Sequence, residues 1–185
     1  IFDCLVGSEM CIRDRVDAPH PSTIDEELLL RHCKLEFGRG TGPGGQRRNK
    51  VATACEIVHE PTGVMAHAAE MRKQADNRRV ALRRLRDRLA RVVRTSVHHE
   101  RYRPSELWEK RRQGRMLPVN PKHYEYPALL AEALDVIVAR RWDVAGTAGL
   151  LGVSMSQLAR LLRHDKAAFD LVNEGRQSMG LPRLR

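Results

Sequence analysis

A chain of 185 residues is long enough for one ordinary domain, or for one compact domain with a small helical unit beside it. Its 33 Lys and Arg against 23 Asp and Glu leave a net charge of +10, and such a field draws in polyanions, so nucleic acid is the first partner to consider. Cys4, Cys11, Cys33 and Cys55 form no C-x-x-C pair and have no histidine at ligand spacing, which argues against a zinc site or a disulfide framework. No apolar run approaches bilayer length, and the N-terminus lacks the basic-then-apolar order of a secretory signal. The expectation is a cytoplasmic, monomeric protein with reduced thiols, no metal, no cofactor and no membrane association.

Residues 1–15 fit nothing that follows. The string 4–15 (CLVGSEMCIRDR) resembles translated sequencing-adapter sequence, so 1–15 is set aside as non-native. Ser22 and Thr23, with Asp25 and Glu26 three residues on, predict the N-cap of a short helix carrying Ile24, Leu28, Leu29 and Leu30 and ending near His32. Cys33, Leu35 and Phe37 alternate with Lys34 and Glu36, the period of a half-buried strand. A loop over 38–46 follows, with five glycines around Pro43. A second strand over 51–59 has Val51, Thr53, Cys55 and Ile57 on one face. Glu60, Pro61, Thr62 and Gly63 then turn into a third strand over 64–68. Met71, Ala75, Leu82, Leu85, Leu89 and Val92 recur at helical spacing and predict a long amphipathic helix with arginines outside. The fold class is therefore α+β: a small, mainly antiparallel sheet covered by helices.

The glycine-rich loop is not a nucleotide cradle, because Gly45 is followed by Gln46 and Arg47 and leads back into a strand, unlike a Walker loop. A glycine pair lets backbone approach a ligand closely, and the next amide N–H can face developing negative charge. Alone, a G-G-Q reads first as a flexible surface turn, and only its context favours the oxyanion donor.

Residues 42–50 (GPGGQRRNK), with Val51 and Ala54 after them, resemble the catalytic loop of class I peptide-chain release factors and of their codon-independent relatives that rescue stalled ribosomes. Leu35, Glu36 and Phe37 before the loop, Pro61, Thr62 and Gly63 after it, and Arg72, Gln74, Asn77, Ala81 and Leu82 follow the same family pattern. The resemblance implies a ribosome-dependent enzyme that hydrolyses the peptidyl-tRNA ester in the peptidyl-transferase centre, with Gly44, Gly45 and Gln46 as its catalytic residues. The Gln46 backbone N–H would bond the oxyanion or the leaving ribose oxygen, and its side chain would position the water. In the family this glutamine is commonly N5-methylated, which makes a glutamine methyltransferase a partner besides the large-subunit rRNA and peptidyl-tRNA. Arg47, Arg48 and Lys50 would neutralise rRNA phosphates, and so would Arg72, Lys73, Arg78, Arg79, Arg83 and Arg84 on the long helix. For that helix the alternative is a solvated surface.

The implied hydrolase domain covers 16–97. A basic, proline-containing connector over 98–126 includes a short helix near Leu107 and Arg112. A helical unit over 127–185 begins at Pro127 with Leu130, Ala133, Leu134, Ile137 and Val138 on one stripe. In it Val144, Ala148, Leu151, Gly152, Val153, Leu158 and Leu161 fit a helix-turn-helix, with Ser154 and Gln157 as a capping box and Gln157, Arg160 and Arg163 as a second nucleic-acid surface. Only some thirty credible residues precede the loop, so codon-independent release in ribosome rescue is expected rather than stop-codon reading. The rival readings are a nucleic-acid-binding regulator working through the C-terminal helices and a non-catalytic ribosome-associated protein.

Overall fold

The computed structural model describes residues 13–39, 51–98 and 100–185. In chain order the elements are β1 (Arg13–Val16), α1 (Glu26–Arg31), β2 (Cys33–Gly38), β3 (Ala54–His59), β4 (Val64–Ala68), α2 (Gln74–Val92), β5 (Val93–Thr95), α3 (Glu106–Arg111), α4 (Tyr126–Ala139), α5 (Val144–Leu150), α6 (Met155–Arg163) and α7 (Lys166–Ser178). They form two compact units. One comprises residues 21–89, and the other combines the described residues up to His20 with residues 90–185.

The 21–89 unit is α+β, with an antiparallel sheet of order β2-β3-β4. Cys33, Leu35 and Phe37 pair with His59, Ile57 and Cys55, and the last three pair in turn with Val64, Ala66 and Ala68. This places one alternate set of side chains on a common face, and Cys55, Ile57, Ala66 and Ala68 there are buried. The turn expected between β3 and β4 is present. Gly63 takes φ +64°, the left-handed region glycine enters without penalty, and Thr62 Oγ1 holds the turn to His59 Nδ1 at 2.8 Å.

Three boundaries differ from the sequence expectation. Helix α1 is capped by Asp25, which accepts the Glu27 N–H at 3.0 Å, rather than by Ser22 or Thr23. A carboxylate beside the first turn also meets the positive end of the helix dipole. Strand β3 starts at Ala54, not Val51, because the Thr53 carbonyl is bonded by the Asn77 amide at 2.7 Å. Helix α2 starts at Gln74, so Met71 precedes it, and Ala75 in its first turn faces solvent. Its buried face is Asn77, Ala81, Leu82, Leu85 and Leu89. Two turns of this helix also cap the outer edge of the sheet: Arg84 Nη1 donates to the His67 carbonyl and Arg88 Nη1 to the Met65 carbonyl, both at 2.8 Å.

In the other unit β1 and β5 pair in parallel, with Arg13 opposite Val93, so the last residues of the segment set aside on sequence grounds take part in the described fold. Helix α4 is its centre. The single apolar stripe expected from its sequence is instead burial on every side, since eleven of its fourteen residues, from Tyr126 to Ile137, are buried. The connector expected over 98–126 supplies part of this core. Trp108 is fully buried and donates its indole N–H to the Leu151 carbonyl at 2.9 Å, and Leu117 is buried as well. Glu132 on α4 accepts the Ser105 N–H at 2.7 Å and the Ser105 hydroxyl at 2.6 Å, fastening the start of α3. Helix α7, capped by Asp165, is missing from the sequence reading although Ala168, Leu171, Val172 and Gly175 mark its buried face at helical spacing.

Among the described residues one ion pair lies deep in the interior. Arg94 and Asp135 are almost completely buried, and Arg94 Nη1 stands 3.0 Å from Asp135 Oδ1. Burial pushes the Asp135 carboxyl up to about 6, against the pull of Arg94 and of the Thr95 hydroxyl that donates to it. Removing one partner strands the other charge in the core. We expect Asp135→Ala to destabilise the protein by about 3–5 kcal/mol in urea denaturation, far more than truncating an exposed aspartate such as Asp17.

Candidate functional site

The residues expected to carry the chemistry, Gly44, Gly45 and Gln46, and the flanking Arg47, Arg48 and Lys50, lie outside the described residues. What the structure does show is the frame on either side. Strand β2 ends at Gly38, where Phe37, expected to be half-buried, remains 44% exposed at the end of the ladder. On the far side the chain re-enters through Val51, Ala52 and Thr53 into β3.

That return is fixed by α2. The side chain of Asn77 is fully buried and uses both ends: Oδ1 accepts the Met71 N–H at 2.8 Å, and Nδ2 donates to the carbonyls of Thr53 at 2.7 Å and Met71 at 2.9 Å. Gln74 Nε2 adds a bond to the Ala52 carbonyl at 3.3 Å. Two side-chain amides from the start of one helix therefore fix the backbone of two successive residues just past the loop. Both positions belong to the pattern noted in the sequence, but the signal there was spacing, and it gave no physical task to either residue.

The basic positions on α2 and before it have different surroundings. Arg72, Lys73 and Arg78 are exposed. Arg79 pairs with Asp76 one turn back at 3.1 Å, and Arg83 is exposed and has contacts of its own. Arg84 has a structural duty at the sheet edge and also meets Glu70 at 2.5 Å. The N–H groups of Ala69 and Glu70, and then Arg84, hold the Glu70 carboxyl below its usual range.

Other chemically capable groups in this unit are quiet. Burial, with Glu60 adding to it, pushes the Cys33 thiol up to about 11, and burial raises Cys55 as well, so neither is a thiolate nucleophile near neutral pH. Burial, and then His32, lowers His59, whose ring is spent on the hairpin turn through Thr62. Among the described residues no cluster of His, Cys, Asp or Glu could hold a metal ion, and no helix is long and apolar enough to cross a membrane.

The second surface expected from sequence is placed as follows. Ser154 caps α6, accepting the Gln157 N–H at 3.3 Å. The reciprocal half of the expected capping box does not form. The Ser154 N–H donates to the Arg115 carbonyl at 3.0 Å, and Gln157 Oε1 accepts the Leu117 N–H at 3.4 Å. Residues 115–117 thus lie against the N-terminal end of α6, and Gln157 is half-buried there. Arg163 lies over the Phe169 ring at 5.6 Å, and Arg160 is exposed.

Residues 22–123 match the family model described as the RF-1 domain. Peptide chain release factor 1 of Symbiobacterium thermophilum is 40% identical over 72 residues, which make up 39% of this chain and 20% of that protein. The corresponding factor of Leuconostoc citreum is 44% identical over 71 residues, 38% of this chain and 20% of the relative. The mitochondrial factor of Bos taurus is 37% identical over 71 residues, 38% of this chain and 16% of the relative. The chain therefore spans a fifth or less of the length of these relatives.

The Asn77 frame makes a specific demand. Asn77→Ala leaves buried backbone groups unpaired and should cost about 3 kcal/mol in urea denaturation. Asn77→Asp should recover little of this, because it keeps the acceptor for Met71 but sets a carboxylate against two carbonyl oxygens. A wild-type midpoint in the aspartate variant would remove the donated bonds from this account.

Proposed function

The chain belongs to the RF-1 domain family, the GGQ domain of class I release factors, and on that premise we propose that it hydrolyses the ester between nascent peptide and tRNA on stalled ribosomes, without reading a codon. The observation that carries this is the extent of the match: residues 22–123 take in nearly the whole 21–89 unit, with the sequence of the glycine loop falling between β2 and β3.

In this reading 16–97 is the hydrolase domain, 98–126 lies along rRNA and 127–185 is a helix-turn-helix-like unit that packs and positions. Water is the nucleophile. It attacks the ester carbonyl, the bond to the ribose 3′ oxygen breaks, and that oxygen leaves with a proton. Gly44 and Gly45 permit close backbone approach, the Gln46 N–H stabilises the oxyanion or the leaving oxygen, and the Gln46 amide holds the water. Arg47, Arg48, Lys50 and the exposed Arg72, Lys73 and Arg78 neutralise rRNA phosphates. A methyltransferase acting on Gln46 would be a transient partner. The codon-independent role is supported by the exposed Arg101, Arg103, Lys110, Arg115 and Lys122, which suit RNA-backbone contact that carries no sequence information.

The rival role in duplex DNA reading needs the first turn of α6 in a groove, since recognition helices present their N-terminal residues to base edges. The bonds from residues 115–117 to Ser154 and Gln157 weigh against it.

The test is release of labelled peptide from ribosomes stalled with and without a stop codon in the A site. We expect comparable release on both templates, and a loss of at least a hundredfold with Gly45→Ala while ribosome pelleting persists. Strict dependence on the stop codon would overturn the rescue role, and undiminished release by Gly45→Ala would overturn the loop's chemistry.

A further inference from the structure

Tyr124 is 69% exposed, the most exposed of the large hydrophobic side chains among the described residues. It is nevertheless held. Its hydroxyl donates to Glu125 Oε1 at 3.1 Å, and its ring centroid lies 4.5 Å from that of His123. The other Glu125 oxygen is bonded by Arg111, and the backbone is fixed by turns in which the His123 N–H donates to the Asn120 carbonyl at 2.9 Å and the Tyr126 N–H to the His123 carbonyl at 3.1 Å. Burial works against the Glu125 charge, but the bonds from Arg111 and Tyr124 outweigh it and hold the carboxyl below its usual range. A network of ionised and neutral groups thus holds an aromatic ring in solvent, where fixing a side chain costs entropy and gains no burial in return.

A ring fixed in advance is what a stacking partner benefits from, because the ordering cost is already met. The surroundings point to the partner's class. Lys122 is exposed two residues away, Lys110 adjoins Arg111, and Arg115 is exposed in the same stretch. Interfaces between proteins are depleted in lysine, whereas single-stranded nucleic acid is held by aromatic rings flanked by cations. Beside the ring, His123 and Glu125 also line a cleft of about 110 Å³ with Arg111, Asn120 and the apolar Pro118, Val119 and Leu129.

We propose that Tyr124 is a stacking platform for an unpaired RNA base, with Lys122 neutralising an adjoining phosphate. The identity of that RNA as ribosomal rests on the function proposed above, but the stacking itself does not.

The test uses the full chain and a fluorescein-labelled single-stranded RNA 12-mer of mixed sequence, read by anisotropy, with the same RNA annealed to its complement as the second probe. Tyr124→Ala should weaken single-strand binding about tenfold, Tyr124→Phe should stay within about twofold of wild type, and Lys122→Ala should reduce the salt slope by about one. Duplex binding should be unaffected by Tyr124→Ala. Thermal melts should match wild type, since the ring is exposed. Unchanged single-strand binding by Tyr124→Ala, or an equal loss with Tyr124→Phe, would overturn the proposal. An equal loss on duplex RNA would do the same. No ribosome enters the assay, so failure of peptide release and failure of base stacking are separate results.

Discussion

A buried side-chain amide must have its donors and acceptor satisfied, and where it cannot, the surrounding chain moves. Asn77 meets that constraint by binding Met71 on one side and Thr53 on the other. The arrangement of the 21–89 unit follows from it. Strand β3 cannot begin before Ala54, because the carbonyl of Thr53 is already engaged. Helix α2 cannot begin at Met71, because both backbone groups of that residue face the same amide. Ala52 and Thr53, which follow the motif in the chain, are consequently held by side-chain hydrogen bonds rather than by ladder pairing. Backbone held this way has a fixed end point without being part of a strand.

The other unit is organised by burial around α4, and its polar contacts divide the work. Glu132 gathers Tyr102 and Ser105, Glu125 gathers Arg111 and Tyr124, and Asp135 meets Arg94. Three carboxylates on one helix and its cap thus draw in three successive stretches of a chain that is basic overall. Positive charge in residues 94–112 therefore has two uses, some of it neutralised internally and the rest left to solvent.

Much of the first unit was legible in the sequence. Alternation in Cys33, Leu35 and Phe37, the Glu60 to Gly63 turn and the spacing of Leu82, Leu85 and Leu89 are local signals, and each placed its element within a few residues. The error at Asp25 was a local choice between neighbouring caps, whereas the start of β3 was set by the bond of Asn77 with distant Thr53, which leaves no period to read. Strands β1 and β5 were missed for the same reason, since a short parallel pairing across nearly eighty residues has no local signature. In the second unit Trp108 was hidden by its neighbourhood: one tryptophan among arginines and prolines reads as linker until its indole finds the Leu151 carbonyl. Of the candidate site, composition and motif pointed to the residues. They did not separate exposed Arg72 and Arg78 from Arg84, which is tied to the fold, nor pick out Tyr124, because an exposed aromatic ring is invisible to any pattern that scores burial.

The two arginine bonds along β4 have a consequence for self-association. A sheet of three strands leaves outward carbonyls on its last strand, and these would template a further strand from a second molecule or from a partly folded copy. At Met65 and His67 those acceptors are taken by Arg88 and Arg84. Helix α2 thereby covers two acceptors of this edge with charged side chains, one of which, Arg84, is also held by Glu70. The helix whose Leu82, Leu85 and Leu89 fill the core thus also occupies two of the acceptors that a further strand would need.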